Sequence, residues 1–207
     1  MEYKKNDYEE LAFLGTGSFG CCSKIKRRRD GKISEWLESC TFDEGFLWRI
    51  CYQLILALMV CHNTNIDGLV ILHRDLKPAN VFLTSNWNVK LGDFGSSRLL
   101  DLKRGAETIT GTPLYMAPEV FRHEKYNEMC DIWSLGCLLY EMSALVPPFS
   151  GRSESEIVRK VISGETPDIP DTYSHDFGRF IKAMLNIEVT RILFTIFCFY
   201  LRMLISP

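Results

Sequence analysis

Apolar residues between positions 43 and 62 recur every three or four residues, which is the spacing of one helix face. The pattern predicts a long helix, with Thr41 or Asp43 placed to cap its N-terminus. The residues that define this face are Phe46, Leu47, Ile50, Cys51, Leu54, Ile55, Leu58 and Met59. Such a helix is expected to contribute to a protein core.

Two further segments predict helices of different character. Residues 131–144 are almost entirely apolar, which indicates a helix buried on most of its sides. Residues 154–163 mix apolar and charged positions in an amphipathic pattern, and Pro167 and Pro170 are expected to end that helix.

Short apolar runs predict small strands at Leu69–Leu72, Val81–Leu83 and Val89–Leu91. Near the N-terminus, residues 8–28 predict a strand, a glycine-rich turn and a second strand. Helices combined with mostly short strands indicate a mixed α+β protein.

A chain of 207 residues, with 46% hydrophobic and 24% charged residues, suits one globular domain or a small protein of two lobes. The formal net charge of −2 gives no overall attraction for nucleic acid. One basic run, from Lys24 to Arg29, stands out against this balance. It is either the solvated end of a hairpin or a polyanion-binding or import patch.

None of the eight cysteines forms a Cys-x-x-Cys pair or a cysteine–histidine cluster with zinc spacing. The first ten residues, MEYKKNDYEE, are polar and do not resemble a signal peptide. We therefore expect reduced thiols and a location in the cytoplasm or nucleus.

The chemistry-bearing stretch is His73-Arg74-Asp75-Leu76-Lys77-Pro78-Ala79-Asn80, followed by Asp93-Phe94-Gly95. In this arrangement Asp75 is predicted to accept the proton of a hydroxyl that receives a phosphoryl group, while Asn80 and Asp93 hold Mg²⁺ against the ATP phosphates. An Asp-Phe-Gly turn alone is common. Its spacing from the first motif makes it informative.

Two later motifs complete the series. Gly111-Thr112-Pro113 and Ala117-Pro118-Glu119 close a segment of 27 residues that begins at Asp93. Upstream, a glycine-rich turn would let backbone N–H groups approach phosphates. Its predicted nucleotide-binding residues are Leu14, Gly15, Thr16, Gly17, Ser18, Phe19, Gly20 and Cys22.

Together these motifs resemble the eukaryotic protein kinases, and more narrowly the NIMA-related serine/threonine kinases. The narrower resemblance includes HRDLKPANVF at 73–82, NVKLGDFG at 88–95 and DIWSLGCLLYE at 131–141. It implies a two-lobe, protein-kinase-like α+β fold with a mainly helical C-terminal lobe. ATP and Mg²⁺ would be cofactors, proteins would be substrates, and roles at mitosis, centrosomes or cilia would be expected.

The resemblance also assigns individual roles. Lys77 would stabilise the transferred phosphoryl group, and Lys77 with Thr112 is typical of serine/threonine specificity. Arg74 would pair with a phosphate on the activation segment, for which Thr108 is the expected site and Thr110 the second candidate. Asp131 would reach back to the backbone of the catalytic loop.

The N-terminal lobe departs from the family because it is severely shortened. A five-stranded sheet, a helix and a hinge need on the order of 60–80 residues, but only 34 run from Leu11 to Glu44. Leu37 stands where the family has a phosphate-gripping Lys, and the Glu-bearing helix and the hinge have no counterpart. Lys24 is the remaining candidate for that grip, with a solvated lysine as the plainer interpretation.

The C-terminal end departs as well. Arg191 falls one position early for its expected pairing with Glu119, and the apolar run Ile192–Leu201 is too short to span a bilayer. We interpret residues 187–207 as a divergent tail, with weak membrane association as the alternative. Residues 1–40 are then a remnant of the N-terminal lobe, and 41–186 form the C-terminal lobe.

Two hypotheses follow. The first is an ATP- and Mg²⁺-dependent protein serine/threonine kinase whose turnover is reduced by the shortened lobe. The second is a binding protein or splice product that keeps the C-terminal lobe without competent nucleotide binding. The motifs favour membership of the kinase family, as in the first hypothesis. The missing Lys, helix and hinge favour the loss of catalytic activity, as in the second.

Overall fold

The computed structural model describes residues 8–17, 20–27, 33–38, 42–63, 69–84, 86–101 and 111–186. For residues 8–38 and 98–101 the description is confined to the backbone. The chain divides into two compact units, Met1–Asp43 and Glu44–Pro207. The predicted α+β composition is confirmed, with strands in the first unit and mostly helices in the second.

The first unit contains a three-stranded antiparallel sheet in the order β1-β2-β3. Its strands are β1 (Tyr8–Gly17), β2 (Gly20–Arg27) and β3 (Ile33–Glu38). The predicted strand, turn and strand over 8–28 is confirmed, because Gly17 and Gly20 form the last pair before a two-residue connection. Residues 24–27 of the basic run lie in the second half of β2, while Arg28 and Arg29 lie outside the described residues.

The described part of the second unit contains five α-helices. They are α1 (Glu44–His62), α2 (Pro118–Phe121), α3 (Met129–Ala144), α4 (Glu154–Ser163) and α5 (His175–Met184). Thirteen residues of α3 are buried, which confirms the prediction of a helix enclosed on most sides. Gly136 lets α5 approach it, since a Cβ there would lie 2.9 Å from Met184 Cβ.

The amphipathic pattern predicted α4 with its observed bounds, but the expected end signal was wrong. The helix stops at Gly164, which adopts φ 71° and donates its N–H to Val161 O. Glycine takes this left-handed conformation without a Cβ penalty, so the C-cap ends the helix before Pro167 is reached. Ser153 caps the other end by accepting a hydrogen bond from Glu156 N.

Two small antiparallel strand pairs lie on either side of the loops that contain the 73–80 and 93–95 motifs. The strands β5 (Val81–Leu83) and β6 (Val89–Leu91) pair with each other, and β4 (Leu69–Leu72) pairs with β7 (Arg98–Asp101). Three of these strands confirm the predicted apolar runs. The fourth, β7, was not predicted.

Among the described helices, α1 is long and apolar enough to satisfy the length and hydropathy criteria for a membrane span. A third of its most hydropathic 18-residue window is buried within the molecule. Core helices of soluble proteins satisfy the same criteria, so this is weak evidence for membrane insertion.

Candidate active site

The loop that follows β4 is held by a carboxylate in α3. Asp131 is fully buried and accepts hydrogen bonds from His73 N at 2.9 Å and from Arg74 N at 2.8 Å. Arg74 adopts φ 66°, a left-handed conformation that costs a non-glycine residue on the order of 1–3 kcal/mol. The expected reach of Asp131 to the catalytic loop is confirmed. It stabilises the strained residue immediately before Asp75.

Asp75, Lys77 and Thr112 form a closed triangle of hydrogen bonds. Lys77 Nζ donates to Asp75 Oδ2 at 2.7 Å and to Thr112 Oγ1 at 2.9 Å. Thr112 Oγ1 donates to Asp75 Oδ1 at 2.7 Å. Each carboxylate oxygen of Asp75 therefore has a donor, and an ammonium group lies beside it.

Asn80 joins this cluster from the other side. Its Nδ2 donates to the carbonyl oxygen of Asp75 at 2.7 Å and to Asp75 Oδ2 at 3.2 Å. Because the amide nitrogen is used in this way, Asn80 Oδ1 remains as an acceptor. A 3₁₀ turn over Pro78–Asn80 brings the side chain back toward Asp75.

The surroundings of Asp75 favour its charged form. Burial by itself raises the pKa of this carboxyl, but the hydrogen bonds from Lys77, Thr112 and Asn80 outweigh that effect. The net result is a pKa below the ordinary value for aspartate. Asp75 is therefore ionised at neutral pH and available to accept a proton.

Gly111 allows the C-terminal end of the activation segment to reach the catalytic loop. Its φ is 127°, and a Cβ at this position would lie 2.5 Å from the carbonyl oxygen of Arg74. Any side chain there would push the two backbones apart. Thr112, the next residue, is thereby brought within hydrogen-bonding distance of Asp75.

Asp93 follows a residue whose backbone is hydrogen-bonded to Asn80, but the Asp93 side chain makes no hydrogen bond to the cluster. The residue before it, Gly92, donates its N–H to Asn80 O at 2.9 Å. Asp93 is exposed, with φ 58°, and its Oδ1 accepts from Gly95 N at 3.3 Å. Among the described residues, no hydrogen bond joins the Asp93 side chain to Asp75, Lys77 or Asn80.

The available oxygens suit Mg²⁺. Asn80 Oδ1 and the Asp93 carboxylate offer the oxygen ligands that Mg²⁺ prefers, and the backbone hydrogen bond to Asn80 comes from Gly92, the residue before Asp93. Within the described part of the chain, no cluster of three or more His, Cys, Asp or Glu side chains forms a metal site. The fit is therefore to an ion that keeps waters or phosphate oxygens as further ligands.

Two exposed aromatic rings flank Asp93. Phe94 is 45% exposed and meets His73 edge-on, while Phe82 is 55% exposed. The Phe82 ring lies so close to Gly92 that a Cβ there would be 2.7 Å from it. Sequence reasoning did not single out Phe82, because an apolar residue in a short strand predicts burial.

Arg74 has partners of its own. Its Nε donates to Ser96 O at 2.7 Å, and its Nη1 donates to Tyr126 OH at 3.4 Å. It also lines a small pocket with Met116, Val120 and Cys130. The two threonines that are candidates for modification, Thr108 and Thr110, lie outside the described residues.

The predicted nucleotide loop falls on β1 and β2. Leu14, Gly15, Thr16 and Gly17 end the first strand, and Gly20 and Cys22 begin the second. Ser18 and Phe19 lie outside the described residues. Backbone register pairs Cys22 with Gly15 on one side and with Leu37 on the other.

The same register gives the backbone position of Lys24, whose role as a replacement phosphate grip stays a prediction. Lys24 is four residues beyond Gly20, or about 13 Å along an extended strand. It pairs with Glu35 on β3.

Glu119 is half-buried, and burial raises the pKa of its carboxyl above the ordinary value. Among the described residues that act on its charge, Glu124 raises that pKa further and Arg122 lowers it. The expected partner, Arg191, lies outside the described residues.

Comparison with known proteins gives a consistent result. The protein kinase domain family profile matches residues 29–193. Human serine/threonine-protein kinase Nek2 is 37% identical over 255 residues, which covers 91% of this chain and 57% of that protein. The G2-specific protein kinase nimA of Emericella nidulans is 40% identical over 203 residues, covering 87% of this chain and 28% of that protein.

The chain belongs to the protein kinase family, within its NIMA-related serine/threonine group. It spans little more than half the length of human Nek2 and of mouse Nek2, 57% and 58% respectively. ATP and Mg²⁺ are the cofactors that this family uses.

The alignments also show how many positions of a relative have no counterpart in this chain. The one with human Nek2 runs over 255 positions, whereas 91% of this chain's 207 residues is about 188. About 67 positions of that relative therefore have no counterpart here. Human Nek11 aligns over 165 residues, and 77% of this chain is about 159, so that alignment is almost free of such gaps.

Proposed function

We propose that this chain is a protein serine/threonine kinase of NIMA-related type that transfers the γ-phosphate of ATP to serine or threonine hydroxyls. The observation that carries the proposal is the closed triangle of hydrogen bonds among Asp75, Lys77 and Thr112. Asn80 donates a further hydrogen bond to the Asp75 carboxylate. A charged, oriented carboxylate beside an ammonium group suits a hydroxyl that must lose its proton while it gains a phosphoryl group.

The residues then have separate roles. Asp75 orients the acceptor hydroxyl and takes its proton as the new O–P bond forms and the bond to the ADP oxygen breaks. Lys77 neutralises charge on the phosphoryl group in transit, and Thr112 holds the carboxylate in place. Asn80 and Asp93 would hold Mg²⁺, which neutralises the phosphates of the bound nucleotide. Phe82 offers an exposed ring on which a nucleobase could stack.

We further propose that turnover of this chain is reduced. Residues 1–40 would be a remnant of the N-terminal lobe, 41–186 the C-terminal lobe with the catalytic loop, activation segment and central helix, and 187–207 a divergent tail. The gap of about 67 positions against human Nek2 supports this division. The segment without a counterpart would carry the phosphate-gripping Lys, its Glu partner and the hinge, whose loss leaves the nucleotide poorly positioned.

A second candidate function rests on the same gap. A chain that keeps the acceptor platform but binds nucleotide poorly could act as a non-catalytic binding protein. We place either form in the cytoplasm or nucleus, with centrosomes or the cytoskeleton proposed from the family. Protein substrates are the proposed partners, and the net charge of −2 supports no role for nucleic acid.

A phosphorylation assay separates the two candidates. The chain is incubated with Mg-ATP and a generic basic protein, and the products are mapped for phosphoserine, phosphothreonine and phosphotyrosine. We expect slow transfer to serine and threonine that Asp93→Ala abolishes. Transfer indistinguishable from that of Asp93→Ala, with no thermal shift on adding Mg-ATP, would favour the non-catalytic candidate.

A further inference from the structure

One face of the β5–β6 strand pair is open to solvent beside the proposed metal ligands. Phe82 and Lys90 lie directly opposite each other in this pair, and both side chains are exposed. Opposite residues of an antiparallel pair point to the same face, with their Cβ atoms about 5 Å apart. The Phe82 ring also covers Gly92, where an added Cβ would lie 2.7 Å from a ring carbon. An aromatic ring, a lysine and a glycine therefore share this face.

The strand pair is anchored to α1 by its backbone. Gln53 of α1 accepts a hydrogen bond from Val89 N at 2.9 Å and donates one to Trp87 O at 3.3 Å. The Lys90 ammonium has no carboxylate partner among the described residues. The fixed strand pair therefore presents Lys90 with its charge available to a ligand.

The spacing along the two strands suits a nucleotide whose phosphates are bound at the metal site. Phe82 is two residues beyond Asn80, and Lys90 is three residues before Asp93. These separations correspond to about 7 Å and about 10 Å along extended strands. Phosphates held with Mg²⁺ at Asn80 and Asp93 would thus leave the base over the Phe82 ring, with Lys90 beside its edge. The inference rests on the proposed function for the presence of a bound nucleotide.

Lys90 offers only hydrogen-bond donors to that base. An ammonium group has three donors and no acceptor, and the Phe82 side chain has no polar atom. Guanine carries two neighbouring acceptors, O6 and N7, which a lysine can bind together. Adenine has the N6 amino donor beside N7, so a lysine meets one acceptor and one competing donor. The donor beside the ring therefore fits guanine better than adenine.

We propose that Lys90 is a specificity-determining residue, which contacts the edge of the base and makes this chain bind guanine nucleotides more tightly than adenine nucleotides. Relatives in this family use ATP. The departure follows from the loss of the hinge proposed above together with the donor left beside the Phe82 ring. The expected preference is about fivefold, the lower limit for a two-acceptor contact with the correct base, because the site is exposed to water.

Binding of three diphosphates to the full chain tests the proposal. ADP, GDP and IDP, each with Mg²⁺, are titrated by isothermal titration calorimetry. IDP is informative because its base keeps O6 and N7 but lacks both amino groups. We expect GDP and IDP to bind about fivefold more tightly than ADP. In Lys90→Met the three affinities should become equal, whereas Lys90→Arg, which keeps charged donors, should retain the preference.

Lys125→Met is the matched control, because Lys125 is an exposed lysine in the loop between α2 and α3. It should leave all three affinities unchanged. Equal binding of the three nucleotides by the wild type, a preference for ADP, or an unchanged preference in Lys90→Met would overturn the proposal. The last result would mean that Lys90 contacts only the phosphates.

The same titrations separate this proposal from the proposed function. If none of the three diphosphates binds, both fail, because the nucleotide site itself is absent. If GDP and IDP are preferred but neither ATP nor GTP supports phosphoryl transfer, the proposed function fails while the assignment of Lys90 holds.

Discussion

Replacing Asp75 with asparagine should reduce phosphoryl transfer by about 10²- to 10⁴-fold, the usual contribution of a positioned acid or base. Asparagine keeps the shape of the side chain and can still accept from Thr112. It cannot take the proton of the acceptor hydroxyl, and it loses the charge that Lys77 pairs with at 2.7 Å. The measurement is the initial rate of transfer to a serine-containing protein at saturating Mg-ATP.

The matched control for this change is Asp171→Asn. Asp171 is an exposed aspartate in the loop before α5, so the same chemical change there should leave the rate unchanged. Circular dichroism and urea unfolding of both variants test whether the fold is kept. A rate for Asp75→Asn within a few-fold of the wild type would remove Asp75 from the catalytic role.

Restoring the missing part of the N-terminal lobe should have an effect of similar size in the opposite direction. The segment of human Nek2 that has no counterpart here would be inserted between residues 33 and 43. Misplacement of reacting groups commonly costs about 10²-fold, so we expect the graft to raise the transfer rate by at least that factor. Affinity for Mg-ATP should increase as well.

The control for the graft is the same insertion with its phosphate-gripping lysine replaced by alanine. This variant restores the sheet and the helix without the grip. It should bind nucleotide better than the present chain but transfer phosphate slowly. If the graft leaves the rate of the present chain unaltered, the shortened lobe is not what limits turnover.

The sequence predicted three of the five described helices, α1, α3 and α4, because their apolar patterns are strong local signals, whereas α2 and α5 were not predicted. The helix α1 follows a clean apolar periodicity, and the buried face of α3 is continuous. The strands β4, β5 and β6 are short, but motifs on both sides limited where they could lie. The strand β7 escaped prediction because its pairing with β4 joins distant parts of the chain.

The site was predictable as a set of residues but not as a geometry. Spacing selected Asp75, Lys77 and Asn80, and the structure brings them together with Thr112. No local pattern could show that Asp93 would face solvent without a bond to them. The contact of His62 with Asp131, 69 residues away, is likewise one that no local periodicity encodes.

Binding of Mn²⁺ in place of Mg²⁺ tests most directly whether Asn80 and Asp93 share one metal ion. In the presence of ATP, a paramagnetic ion held between them should broaden the amide NMR signals of both residues together. Asp93→Ala should remove both effects at once. Broadening of only one of these signals, or of amides on α4 and α5 instead, would contradict the account.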